Sequence, residues 1–229
     1  MLFMDMGYLL WVFIPSLILS GLAQLFVSSA YNKWGNTRNT LGLTGLDVAR
    51  QIMSRTNVNG VQIEGIQGKL TDHYDPRDNT IRISQSNATV PSVAGMAVVA
   101  HELGHAQQHQ EGSLLIQARN FLVPAVQFSP TIGYLMIIMG LMLNLTGLFQ
   151  LGILLFGVMV VFMILTLPVE IDASRRGMIL LRESGVMASE QDASGARQML
   201  TAAALTYFAA AIGAVLQLLY FMSLGNRRR

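Results

Sequence analysis

The chain has no cysteine. That excludes disulfides, thiolate metal sites and a cysteine nucleophile, and any metal site must come from His, Asp and Glu. Charge is also scarce: only 12% of the 229 residues are Asp, Glu, Lys or Arg, against about 25% in typical soluble domains. The net charge of +2 is small, and the basic residues lie singly or beside apolar runs without interleaved aromatics. Nucleic acid is therefore not a partner that this composition favours. Internal repeats and low-complexity tracts are missing as well. What the chain has instead is apolar residues, 52% of the total, and the bilayer must be treated as solvent for part of the fold.

Four apolar stretches stand out, since about 20 helical residues cross the ~30 Å hydrocarbon core. The first runs from Gly7 to Val27 without a charge. A secretory signal is the alternative, with Ser28 and Ala30 imitating a cleavage site. Asp5, the lack of Lys or Arg before the run, and its length favour a retained anchor. From Thr131 to Pro168, roughly 38 residues, no charge occurs, about twice what one crossing needs. Asn144, Thr146, Gly147 and Gln150 sit near the middle, so two short helices with a tight turn are expected. The fourth stretch is Thr201 to Leu224. Its Ala209, Ala210 and Gly213 suit helix packing within the chain, the default, or between subunits as a homo-oligomer.

The basic residues set an expected orientation. Lys33, Arg38, Arg50, Arg55, Lys69, Arg77, Arg82 and Arg119 separate the first and second spans; Arg175, Arg176, Arg182 and Arg197 separate the third and fourth. By the positive-inside rule both regions face the cytoplasm of a multi-pass cell-membrane protein. The Arg227–Arg229 tail would then lie outside, which counts against that orientation unless the two larger clusters outweigh it or the last segment does not cross.

The expected fold is mainly α-helical and membrane-integral, with about four transmembrane helices and a small α+β domain. Its parts are an anchor (1–30), an extramembrane domain (31–130), a helical hairpin (131–168), a polar segment (169–200) and a last span with a basic tail (201–229). In the extramembrane domain Thr44 reads as an N-cap before Leu46, Val48, Ala49, Ile52 and Met53 at helical spacing. Val61 with Ile63, and Ile81 with Ile83, alternate as strands do. Leu70–Asn79 between them is dense in turn formers. The strand at Ile81–Ile83 either offers an open edge to an extended peptide or is paired on both sides. A second helix is expected from Ser92 to about Gln110, stopping at Gly112.

That helix carries His101-Glu102-Leu103-Gly104-His105. Residues four apart share a helical face, so both imidazoles reach one ion, and Glu102 lies where a carboxylate holds an attacking water. A bare pattern of this kind arises by chance. Its place on a helix, beside Ala100, Gly104 and Ala106, points to a catalytic Zn²⁺, which takes three protein ligands and keeps one position open. A third His ten residues after the first is ruled out, because Glu111 stands there and Gln108 replaces the glycine of that pattern. His109 is rotated about 80° from His101 and reads as a surface or outer histidine. Glu170 is the better third ligand. It directly follows the third apolar run, and a hairpin over Thr131–Pro168 returns it to the side of the His pair. The competing reading is an interfacial carboxylate paired with Arg175 or Arg176. Asp72, Tyr74 and Pro76 merely shape a turn, or the loop folds over the metal and supplies, through His73 or Tyr74, a donor for the oxyanion.

At these residues the chain resembles the YugP-type neutral zinc metallopeptidases of bacterial membranes. The matching pieces are Leu70–Arg77, Ala100–Ala106, Thr166–Glu170 with Ala173–Arg176, and Ala202–Tyr207, in that order over nearly the whole chain. The resemblance implies a zincin-like domain and a membrane-bound zinc peptidase acting on peptide or protein substrates. More distantly the chain is similar to gluzincin peptidases, in which an aspartate four residues after the glutamate ligand orients a histidine. Ser174 occupies that place here, and Asp172 lies on a different helical face. A zinc-binding membrane scaffold without proteolytic activity is the rival reading. Against it stands an intact Glu102.

Overall fold

The computed structural model describes residues 5–226. Four of its helices are long and apolar enough to cross a membrane. They are α1 (Met6–Gly35), α5 (Leu114–Met142), α6 (Thr146–Glu183) and α7 (Glu190–Asn226). Between α1 and α5 lie α2 (Gly45–Arg55), β1 (Gln62–Ile66), β2 (His73–Asp75), β3 (Thr80–Ser84), α3 (Gln85–Thr89) and α4 (Val93–Gln110). The Arg227–Arg229 tail, used above for orientation, lies outside the described residues.

Three helices are longer than their apolar runs suggest. α5 begins at Leu114 rather than near Thr131, and carries Pro124 and Pro130 inside it. α6 continues through Pro168 for fifteen further residues, Val169–Glu183. α7 starts at Glu190, ahead of the run that begins at Thr201. Hydropathy reports where a helix can meet lipid, while its backbone hydrogen bonds carry it on through polar sequence. The expected turn lies at Asn144, whose φ of 55° is a left-handed conformation that asparagine tolerates.

The chain divides into two compact units. One comprises Met1–Ala23, Gln117–Pro168 and Thr206–Arg229. Its core is aromatic and aliphatic, built on Phe149, Phe156, Phe221 and Ile137. Small residues set its helix contacts: a Cβ on Gly140 would stand 2.7 Å from the Phe149 Cα, and one on Gly213 would meet Ser16 at 3.3 Å. The last contact is within the chain.

The other unit comprises Gln24–Ile116 and Val169–Leu205. Its α2 starts with a reciprocal capping box, Thr44 accepting from the Asp47 N–H and Asp47 from the Thr44 N–H. Val48, Ala49 and Ile52 of α2 are fully buried, as are Ile81 of β3 and Val99 and Leu103 of α4. The sheet order is β1-β3-β2, with β1 parallel and β2 antiparallel to β3. β3 is thus the central strand, and Ile81–Ile83 offers no open edge; the edges are β1 and β2. The turn-rich Leu70–Asn79 segment contains a strand of its own. His73 pairs with Arg82 and Asp75 with Thr80, and Asn79 at φ 55° closes the hairpin. Arg77 and Arg82 both bond Asp75 and hold its carboxyl well below the usual carboxylate range.

Candidate metal centre

Two helix segments of the second unit make the site: α4 and the polar end of α6, Val169–Glu183. Ser92 caps α4 by accepting from the Gly95 N–H. The helix is buried on nearly every side, with Ala94, Ala97, Ala100, Leu103 and Ala106 all inaccessible. Such a helix approaches a neighbour closely only where side chains are missing. Gly104, inside the His-Glu-Leu-Gly-His segment, is that place: a Cβ there would collide with the Ala173 carbonyl of α6. Gly177 of α6 is its counterpart, since a Cβ would lie 2.9 Å from the Ala100 carbonyl. The two backbones therefore touch on either side of His101, and Glu170 arrives one helical turn away.

The result is a group of His101, His105 and Glu170 that could hold a metal ion, with ligand atoms all within 4.8 Å of one another. Glu170 Oε2 is 3.3 Å from His101 Nε2 and 3.6 Å from His105 Nε2. Those separations are informative. Charge-assisted N–H···O bonds run at about 2.7–2.9 Å. Two ligands on one tetrahedral zinc, each at about 2.0–2.1 Å, stand about 3.3–3.4 Å apart. Both separations are longer than such a bond and close to the spacing of two ligands on one ion, so the three side chains could share a metal. The donor set of two imidazoles and one carboxylate also fits a borderline-soft divalent ion that leaves one position open.

Charge balance points the same way. Burial alone would lower the His105 imidazole, but Glu170 and Glu102 beside it outweigh burial and hold it above its ordinary value. Burial pushes the Glu102 carboxyl up, and Glu170 and Asp72 add to that against the pull of the two imidazoles. A pocket with two buried carboxylates and two imidazoles favours a cation among them.

The rings are held from behind. The Ser174 hydroxyl of α6 is 3.2 Å from His101 Nδ1. Gln108 Oε1 is 3.0 Å from His105 Nδ1. Asp172 reaches the site only through Gln108, accepting from its amide at 2.8 Å, and Arg176 bonds Asp172 at 2.7 Å and Glu111 at 2.6 Å. Arg176 is thus engaged away from Glu170, whose polar contacts are the two imidazoles. The sequence reading missed Gln108 as a partner. Its spacing from His105, three residues along one helix, was the available signal.

His73 and Tyr74 sit on β2, and their side chains bond groups outside the cluster. The exposed His73 bonds the Thr71 carbonyl through Nδ1 at 2.9 Å. The Tyr74 hydroxyl donates to Asn79 at 2.9 Å and lies 2.8 Å from His109 Nδ1. His109 therefore ties the last turn of α4 to β2.

Comparison with known proteins shows the family. The chain is 36% identical over 209 residues to the protein named "Putative membrane protease YugP" of Bacillus subtilis (strain 168), covering 91% of this chain and 92% of that one. No solved structure matches it. The model of a family described as "putative neutral zinc metallopeptidase" matches residues 9–226, and with nearly the whole length covered the chain belongs to that family.

Proposed function

We propose that this chain is a membrane-integral zinc metalloendopeptidase in which His101, His105 and Glu170 hold the metal and Glu102 is the general base. One observation carries the reading: two imidazole Nε2 atoms and a buried carboxylate oxygen stand 3.3 and 3.6 Å apart, the spacing of zinc ligands.

His101, His105 and Glu170 would hold the zinc, which would supply Lewis acidity to the site. Glu102 takes a proton from the attacking water and delivers it to the leaving amine. Its burial raises its proton affinity, which suits a group that must first accept a proton and then release it. Ser174 and Gln108 hold the imidazoles so that both Nε2 atoms face Glu170. Of the two rings on β2, His73 is the more available oxyanion donor, because the Tyr74 hydroxyl is shared by Asn79 and His109.

Helix length supports a site outside the lipid, in a zincin-like domain. At about 1.5 Å per residue the 38 residues of α6 exceed the ~30 Å hydrocarbon core almost twofold. The apolar part ends at Pro168, two residues before Glu170. α5 and α6 suit a hairpin across the bilayer, and the basic residues near the span ends favour the cytoplasmic side for the domain.

The test is metal analysis with proteolysis of an unfolded protein by detergent-purified chain. Zinc should be near one per chain, fall on Glu170→Ala, and stay on Glu102→Gln while cleavage stops. Cleavage by Glu102→Gln at the parent rate would refute the mechanism. Zinc with no cleavage in the parent would favour the scaffold reading. His73→Ala should retain zinc and cut more slowly; an unchanged rate removes it.

A further inference from the structure

We infer that Gln108 is the positioning residue of this centre, and that the Val169 carbonyl and Asp172 act through it to set which nitrogen of His105 is offered to metal. The inference rests on the zinc reading above.

Gln108 is completely buried, and both ends of its amide are hydrogen-bonded. Its Nε2 lies 2.9 Å from the Val169 carbonyl oxygen and 2.8 Å from Asp172 Oδ2. Neither acceptor has a proton to give: one is a main-chain carbonyl, the other a carboxylate bonded by Arg176. Two acceptors on one side leave a single orientation for the amide, with NH₂ toward them and Oε1 toward His105. A flipped amide would set its oxygen against two oxygens. Oε1 can only accept, so His105 Nδ1 carries the hydrogen and Nε2 keeps its lone pair, directed at Glu170. The tautomer that can ligate is thus selected by a chain of contacts beginning on α6.

Two consequences separate this arrangement from a carboxylate placed directly on a ligating histidine. First, the group behind His105 is neutral, and the negative charge of Asp172 sits one residue further out, shared with Arg176. Second, Val169 adjoins Glu170, so the same turn of α6 that supplies a ligand also fixes the ring opposite it. Any shift of that turn is felt by both ligands together.

The experiment measures zinc and cobalt(II) binding by the purified full-length chain, in competition with a chelator, alongside melting of the metal-free protein. Gln108→Met fills the space but cannot accept from His105. It should weaken zinc by about 10–100-fold and alter the visible spectrum of the cobalt form. Gln108→Glu sets a carboxylate against Asp172 and should also weaken zinc. Adding Asp172→Asn to Gln108→Glu restores a donor to the new carboxylate and should recover at least tenfold of the affinity that Gln108→Glu loses. A residue that served only folding would lower the metal-free melting temperature without this rescue. Zinc affinity within about twofold of the parent in Gln108→Met, or a double variant as weak as Gln108→Glu, would overturn the inference. Failure of the parent itself to bind zinc would instead remove the zinc reading.

Discussion

In the unit formed by Met1–Ala23, Gln117–Pro168 and Thr206–Arg229, helices meet where side chains are missing. Gly140 admits the Phe149 backbone and Gly152 the Gly133 carbonyl. Lipid is as apolar as the core, so burial drives nothing there, and shape and van der Waals contact set the packing. In the other unit Gly104 and Gly177 allow an equally close crossing. That crossing, however, lies beside the buried polar His105, Gln108 and Glu170, and the unit buries Asn87 and Asp192 besides. Several have partners from distant sequence, as when Asn87 joins Tyr31 to Asp72. The same glycine device closes a seam in one unit and places ligands in the other. Contact alone tolerates small displacements; ligand geometry does not.

A matched pair of one-methyl changes tests that contrast. Gly104→Ala pushes α4 from Ala173, and a displacement near 1 Å at a reacting centre costs about 100-fold in rate. Zinc affinity and turnover should both collapse while the helical circular dichroism of the chain stays. Gly140→Ala forces the same methyl group against Phe149. It should lower stability by about 1–3 kcal/mol, seen as earlier thermal unfolding, and leave zinc per folded chain unchanged. Equal zinc loss in both variants would erase the distinction between the units.

The smallest effect lies in the sheet. The Asp75 carboxyl is held below its ordinary range by Arg77 and Arg82, so its contribution to stability is complete above the unfolded value of about 3.9. The contribution is lost as pH falls below that value through the lower folded pKa. Asp75→Asn should therefore unfold slightly earlier than the parent at pH 7, and the gap should close as pH drops below about 4. Because Arg77 is 87% exposed, solvent screening keeps the effect small. A gap that widened in acid would contradict the assignment.

Local rules were readable where local physics decides. Thr44 announced its cap, and Ser92 and Gly112 bracketed α4, because capping chemistry lies within a few residues of itself. The strand at His73–Asp75 was hidden, since three residues rich in turn formers acquire strand geometry only by pairing with β3. The extents of α5, α6 and α7 were hidden too, because hydropathy falls silent where a helix leaves its apolar stretch. Gln108 could be placed on the face of His105 by spacing, but its acceptors lie more than sixty residues away.

By itself, then, the amino-acid order determined that no thiol chemistry operates here, that four segments suit a bilayer, and that two imidazoles share one helical face. Each follows from composition or from a period of 3.6 residues. Only the tertiary structure decided that Glu170 faces those imidazoles at ligand spacing, that Arg176 turns to Asp172 and Glu111 instead, and that a buried amide stands behind His105. These depend on α4 and α6 touching at Gly104, and a contact between distant segments is a property of the folded chain.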